Sequence, residues 1–106
     1  MDIRSDGPTL VLRGDFDVRF TGEVRAALYD HLAAYPATDI VVDLSEVRST
    51  DLTALRVLAA ATRQARRHQQ RIVLRGCCPP VLRLLHLSHL IRVVQVERGV
   101  PQVVPV

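Results

Sequence analysis

The sequence contains no lysine and no tryptophan. All 14 basic residues are therefore arginines, and with 11 acidic residues they leave a net charge of +3. Aromatic side chains are scarce as well, and they are Phe16, Phe20, Tyr29 and Tyr35. Single-stranded nucleic acid is usually held by exposed aromatics interleaved with basic side chains, so this composition makes nucleic-acid binding a minor alternative. The basic group that would serve it is Arg63, Arg66, Arg67, Arg71 and Arg75.

Long apolar runs are absent too. No stretch approaches the ~18 apolar residues of a membrane span, and residues 1–6 lack the basic and apolar regions of a secretory signal. We therefore expect a cytoplasmic protein. Its two cysteines, Cys77 and Cys78, are adjacent, so a disulfide between them would close no useful loop. We expect two reduced, partly buried thiols.

Residue patterns that mark catalysis or cofactor binding are also missing. The five glycines are scattered and form no phosphate-binding loop, and no serine lies in a nucleophile elbow. His86 and His89 are close enough to share a metal, but no cysteine or carboxylate nearby in sequence completes a ligand set. Asp15 and Asp17 follow a predicted strand, and loop solvation is favoured over an acid-base pair for them. We expect neither an enzyme nor a bound cofactor or metal.

What the sequence does contain is an alternation of strand and helix patterns. Short β-branched runs predict strands over residues 1–5, 9–14, 39–44, 71–75 and 92–96. Apolar residues at three- and four-residue spacing predict helices over 21–34, with Thr21 able to cap it, over 52–68, and over a short segment ending near 87. The order β-β-α-β-α-β-α-β predicts an α/β fold, a mostly parallel mixed sheet of four to five strands with helices packed on it. We expect one domain over 1–98 and a tail over 99–106.

Hydroxyl and carboxyl side chains gather where the second predicted helix begins. Thr50 or Asp51 can cap this helix, which places Thr53 in the first turn, among backbone N–H groups without an intrahelical partner. A phosphoryl group on Thr53 would be favoured by the helix dipole and opposed by the carboxylate of Asp51. From local sequence alone, an ordinary cap and turn is the preferred interpretation.

The same segment resembles the signature of STAS domains, the family of anti-sigma factor antagonists and of cytoplasmic domains of sulphate transporters. The matching residues are Asp43-Leu44-Ser45 at a strand end and Asp51-x-Thr53-Ala54-Leu55 at a helix start. Residues 12–17 resemble the family's glycine-containing strand end, and residues 72–76 with 81–90 resemble its next strand and leucine-rich helix. The motifs occur in the family's order and cover most of residues 3–96.

This resemblance implies an anti-sigma factor antagonist of a bacterial cytoplasm. When unphosphorylated, such a protein captures an anti-sigma factor that is also a serine/threonine kinase, and phosphorylation switches it off. The acceptor would be Thr53, the second residue after the motif aspartate. Leu52 and Ala54 depart from the small hydroxyl residue and the glycine that the family usually has there. The expected partner-binding residues are Asp51, Leu52, Thr53, Arg56, Ala60 and Arg63.

The family resemblance also leaves alternatives open. Small STAS proteins serve as accessory subunits of lipid-transport ATP-binding cassette complexes and as scaffolds of stress-sensing assemblies. The family commonly has a further helix after the last strand, which Pro101 and Pro105 do not allow here. The tail is then available for a homodimer, through its exposed apolar candidates Val100, Val103, Val104 and Val106.

Overall fold

Strands and helices alternate along the chain in the computed structural model, which describes residues 1–97. The strands are β1 (Asp2–Asp6), β2 (Thr9–Phe16), β3 (Ile40–Thr50), β4 (Ile72–Arg75) and β5 (Gln95–Val96). The helices are α1 (Thr21–Ala34), α2 (Leu52–Arg67) and α3 (Pro79–Leu87). Two 3₁₀ turns lie at Val18–Phe20 and Leu90–Arg92. The tail valines Val100, Val103, Val104 and Val106 lie outside the described residues.

The described strands form a single sheet in the order β1-β2-β3-β4-β5. β1 and β2 are an antiparallel hairpin joined through Gly7, and each later pair is parallel. Parallel neighbours need helical crossovers, which α1, α2 and α3 supply. The predicted α/β fold with a mostly parallel mixed sheet is confirmed.

The core fills the space between the sheet and its helices. β2 contributes Leu10, Leu12 and Phe16, all of which are fully buried. Four of the eight buried residues of α2 are alanines, whose small side chains allow close packing: Ala54, Ala59, Ala61 and Ala65. All three apolar residues of β4 are buried, as its continuous β-branched run predicts for a strand covered on both faces. The buried face of α2 thus fixes which face of this helix remains exposed.

Two local predictions are wrong. Thr21 does not cap α1: it is the first helical residue, and its hydroxyl donates to the carbonyl oxygen of Val18 at 3.2 Å, because a 3₁₀ turn leads directly into the helix. The last strand does not begin at Arg92. His89 has a left-handed backbone (φ 63°), a 3₁₀ turn follows, and β5 begins only at Gln95.

β3 also runs six residues beyond its predicted end, to Thr50. It pairs with β4 only over Ile40–Asp43, whereas its pairing with β2 extends from Val41 to Thr50. Where β4 ends, Gly76 passes very close to β3: a Cβ atom built on Gly76 would lie 2.7 Å from the Cβ of Ser45. Ser45 cannot easily move away, because its N–H and its hydroxyl both donate to Asp43 Oδ1, at 2.9 and 2.6 Å.

We predict that Gly76→Ala lowers the free energy of unfolding by about 3 kcal/mol, the sum of left-handed backbone strain and a steric clash. Gly76 has a φ of +73°. Gly7→Ala is the matched control, because Gly7 has a φ of +57° but no atom within 4 Å of its built Cβ. Gly7→Ala should lower the free energy of unfolding by only about 1 kcal/mol. Urea unfolding followed by circular dichroism measures both, and equal losses would show that the close approach to Ser45 carries no energy.

Candidate functional site

The candidate site lies where β3 ends and α2 begins, and Asp51 is its central group. The residue has an extended backbone, and its Oδ1 accepts a hydrogen bond from the backbone N–H of Ala54 at 2.8 Å. Its own carbonyl oxygen accepts the first helical bond, from the N–H of Leu55. Asp51 is therefore the N-cap of α2, and Thr50 is the last residue of β3.

The second carboxylate oxygen of Asp51 makes a contact that the sequence did not indicate. Its Oδ2 accepts from the backbone N–H of Val18 at 3.1 Å, at a sequence separation of 33 residues. One side chain thus holds the start of α2 against the 3₁₀ turn that precedes α1. Because both of its oxygens accept hydrogen bonds within the protein, Asp51 has a structural role at this junction.

Asp17 fixes the other side of the junction. It caps the 3₁₀ turn by accepting from the N–H of Arg19 at 3.0 Å, and it also accepts from the guanidinium of Arg19 at 3.0 and 2.8 Å. These hydrogen bonds hold the pKa of Asp17 below its ordinary value. Asp15 accepts from the hydroxyl of Ser49 at 2.9 Å. The two aspartates therefore face different partners, and the structure does not bring them together as an acid-base pair.

Thr53 is the second residue of α2, and its side chain is exposed. Its hydroxyl makes no hydrogen bond within residues 1–97. The N–H groups of the first residues of a helix have no intrahelical partner, and that of Ala54 is already taken by Asp51. A negative group on Thr53 would therefore meet the positive end of the helix dipole and the carboxylate of Asp51 together.

One face of α2 carries four of the predicted partner-binding residues. Thr53, Arg56, Ala60 and Arg63 are all exposed and follow each other at three- and four-residue spacing, and we call them the α2 face. Asp51 and Leu52 precede this face and are half-buried.

The α2 face is positively charged. α2 contains no acidic residue, and within the described chain neither Arg56 nor Arg63 has a carboxylate within 4.0 Å. Within residues 1–97 these two guanidinium groups therefore have no carboxylate partner, an arrangement that suits carboxylates of another protein.

The other arginines of the nucleic-acid alternative are largely engaged. Arg71 pairs with Asp39 at 2.7 Å and Arg75 with Glu97 at 3.2 Å, and Arg66 donates to the carbonyl oxygen of Val93 at 2.6 Å. The hydrogen bonds from Arg71 lower the pKa of Asp39. These pairings divide the basic group, so the structure does not present it as one continuous stripe.

Residues 1–97 contain no candidate residues for a metal site or for a membrane-spanning helix. No group of three or more histidine, cysteine or acidic side chains is placed to hold a metal ion there. None of the helices in that range is long and apolar enough to cross a membrane. The thiol of Cys77 is half-buried, and burial together with the neighbouring Cys78 raises its pKa to about 11.

Comparison with known proteins gives one family match. The model of a family described as "Mlab, STAS domain" matches residues 1–95. No curated protein matches the sequence.

Solved structures give several likenesses in fold. A putative anti-sigma factor antagonist from Thermotoga maritima has a TM-score of 0.75 at 18% identity, over 93% of this chain and 86% of that one. An anti-sigma factor antagonist from Mycobacterium paratuberculosis has a TM-score of 0.70 at 21% identity, over 89% and 80%. The Bacillus cell fate determinant SpoIIAA, in its phosphorylated form, has a TM-score of 0.65 at 16% identity, over 92% and 91%. At these identities the likeness shows the fold.

We predict that Asp51→Ala lowers the free energy of unfolding by about 2 kcal/mol, because it removes the cap of α2 and the bond to Val18 together. Asp39→Ala is the matched control: it removes an aspartate from an exposed ion pair with Arg71, which solvent screens. Asp39→Ala should lower the free energy of unfolding by a clearly smaller amount. Urea unfolding of both variants is the measurement, and a loss for Asp51→Ala no greater than that of the control would contradict the junction role.

Proposed function

The chain belongs to the STAS domain family, and on this premise we propose that it is an anti-sigma factor antagonist. It acts by binding: the α2 face captures an anti-sigma factor that is also a serine/threonine kinase. Phosphorylation of Thr53 by that kinase ends the interaction. The observation that carries the proposal is an exposed Thr53 hydroxyl at one end of a helical face whose arginines have no partner in the described chain.

Charge supports this use of the α2 face. Arg56 and Arg63 are two turns apart on α2, so they can pair with carboxylates on a partner helix or loop. A guanidinium is weakly hydrated and binds a carboxylate through two parallel hydrogen bonds, which makes arginine effective at such a surface. Ala60 lies between them and lets the partner approach closely.

Phosphorylation of Thr53 would act on the same charges. A phosphoryl group adds about −1.5 to −2 charge at neutral pH. Arg56 lies three residues after Thr53 on the same face, so it can pair with this phosphate within the chain. The phosphate then competes for Arg56 and repels the partner's carboxylates, and both effects weaken the complex.

The two departures from the family signature are compatible with this role. Ala54, which stands where glycine is usual, is fully buried, so its methyl group points into the core and does not cover Thr53. Leu52 is half-buried and adds apolar surface next to the hydroxyl. Thr53 remains exposed beside both.

The second candidate is the accessory subunit of a lipid-transport ATP-binding cassette complex. The observation in its favour is the description of the matching family model, which names Mlab and not an antagonist. The two functions differ in their partner: a kinase in the first case and a transport ATPase in the second. Co-purification from the native cell, with the partners identified by mass spectrometry, separates them.

Incubation with the candidate kinase and ATP should place a phosphate on Thr53, detected by peptide mapping. Thr53→Ala should abolish this phosphate, whereas Thr38→Ala, at another exposed threonine in the turn after α1, should leave it. Thr53→Glu should weaken the complex by about tenfold or more, since a carboxylate carries part of a phosphate's charge. Phosphate that persists on Thr53→Ala would place the switch elsewhere, and failure of the wild type to bind any such kinase would remove the antagonist function.

We also predict that Arg56→Glu and Arg63→Glu each weaken the complex by about tenfold, mainly at low salt, because like charges then face each other. Arg25→Glu on α1 is the matched control: it makes the same charge change at an exposed arginine outside the α2 face. Titration calorimetry at two salt concentrations measures the three affinities. Equal weakening by the control would mean that only net charge matters and that the α2 face is not the docking surface.

A further inference from the structure

Charge is divided between the two halves of the chain. Ten of the 11 acidic residues lie in residues 1–51, whereas residues 52–96 contain eight arginines and no acidic residue. The described strands follow each other across the sheet in chain order, from β1 at one edge to β5 at the other. These two stretches of sequence are therefore also two halves of the domain. We call residues 1–51 the acidic half and residues 52–96 the basic half.

Helix α3, in the basic half, carries an apolar surface patch. Leu87 is 72% exposed, the largest exposed fraction among the large apolar side chains of residues 1–97. It lines an open groove of about 400 Å³ together with Pro79, Pro80, Arg83 and Leu84. We call these five residues the α3 patch. It shares no residue with the α2 face, so it is a second candidate surface for binding.

The charge beside the α3 patch is positive. Arg83 belongs to the patch, and Arg92 lies in the 3₁₀ turn that packs against α3. Both arginines are exposed, and within residues 1–97 neither has a carboxylate within 4.0 Å. Glu97, the nearest acidic residue in sequence, is paired with Arg75. The patch therefore combines an exposed leucine with guanidinium groups that no carboxylate of the described chain neutralises.

We propose that the α3 patch docks on an anionic lipid bilayer. Leu87 enters the boundary between headgroups and acyl chains, and Arg83 and Arg92 lie at the level of the lipid phosphates. Apolar side chains combined with basic ones hold a protein on an anionic membrane without crossing it. The division of charge orients the domain as well, because the membrane attracts the basic half and repels the acidic half.

The α3 patch suits a bilayer better than other polyanions. All four aromatic residues lie in the acidic half, so the basic half has none on which bases could stack. An acidic protein would meet the same arginines, but it would need a preformed pocket for a leucine that is 72% exposed. A fluid bilayer accepts a protruding apolar side chain without such a pocket. This proposal does not depend on the antagonist function, since it involves neither Thr53 nor the α2 face.

Tryptophan fluorescence tests the insertion of position 87 directly. The chain contains no tryptophan, so Leu87→Trp introduces a single reporter without background. With vesicles of equal parts phosphatidylglycerol and phosphatidylcholine, its emission should move to shorter wavelength, and lipids brominated on their acyl chains should quench it. Val18→Trp is the matched control, because Val18 is 59% exposed and lies in the acidic half. Its emission should not change, and vesicles of phosphatidylcholine alone should affect neither variant.

Cosedimentation with the same vesicles tests the contribution of charge. Arg83→Gln should lower the vesicle affinity of the chain about fivefold, the factor that corresponds to about 1 kcal/mol for one arginine near an anionic surface. Arg25→Gln is the matched control, because it removes an exposed arginine from the acidic half, and it should leave the affinity unchanged. Higher salt should weaken binding of the wild type by screening these charges. Circular dichroism checks the fold of each variant.

The possible results support or overturn the proposal. An emission shift in Leu87→Trp but not in Val18→Trp, with the affinity loss confined to Arg83→Gln, supports it. Failure of the wild type to bind anionic vesicles overturns it. Equal affinities of wild type and Arg83→Gln, or equal losses in both arginine variants, also overturn it, because another surface or net charge alone then carries the binding. Binding to polyglutamate or polyuridylate without an emission shift on vesicles would identify an acidic protein or a nucleic acid as the ligand and overturn it as well.

Discussion

The two oxygens of the Asp51 carboxylate determine how the candidate site is presented. One caps α2 and the other holds the 3₁₀ turn before α1, so β3, α2 and the approach to α1 meet at one side chain. Thr53 lies on the first turn beyond that side chain, and its position relative to the rest of the domain follows from this junction. The position of the exposed Thr53 therefore depends on a side chain whose two oxygens both accept hydrogen bonds within the protein.

The sequence predicted the fold well where the signal is local. Continuous β-branched runs located β3 and β4, and the apolar stripe of α2 located both its buried and its exposed face. The predictions were wrong where tertiary contacts determine the backbone conformation. The second half of β3 is largely polar and continues as a strand by pairing with β2 after β4 has ended, and the region after His89 turns before it pairs. Neither effect is visible in residue propensity.

For the candidate site, too, the sequence predicted the features that depend on local spacing and missed those that depend on tertiary contacts. Helical spacing alone placed Thr53, Arg56, Ala60 and Arg63 on one face, because this relation needs no tertiary information. The contact between Asp51 and Val18 joins residues 33 apart in sequence and has no local signal. Asp17 and Arg19 are only two residues apart, so the local sequence, an aspartate followed by an arginine at this spacing, could have predicted their contact. The resemblance to a known signature predicts Asp51 as a partner-binding residue, and the structure adds two hydrogen bonds that this side chain accepts within the protein.

The two edge strands of the sheet also affect whether copies of this protein can pair strand to strand. β1, at one edge, carries the alternating exposed charges of Asp2, Arg4 and Asp6, and β5, at the other, is only two residues long. A charged edge strand and a very short one are both poor templates for pairing with a strand of a neighbouring molecule. The sheet edges thus offer little template for open-ended, fibre-like growth.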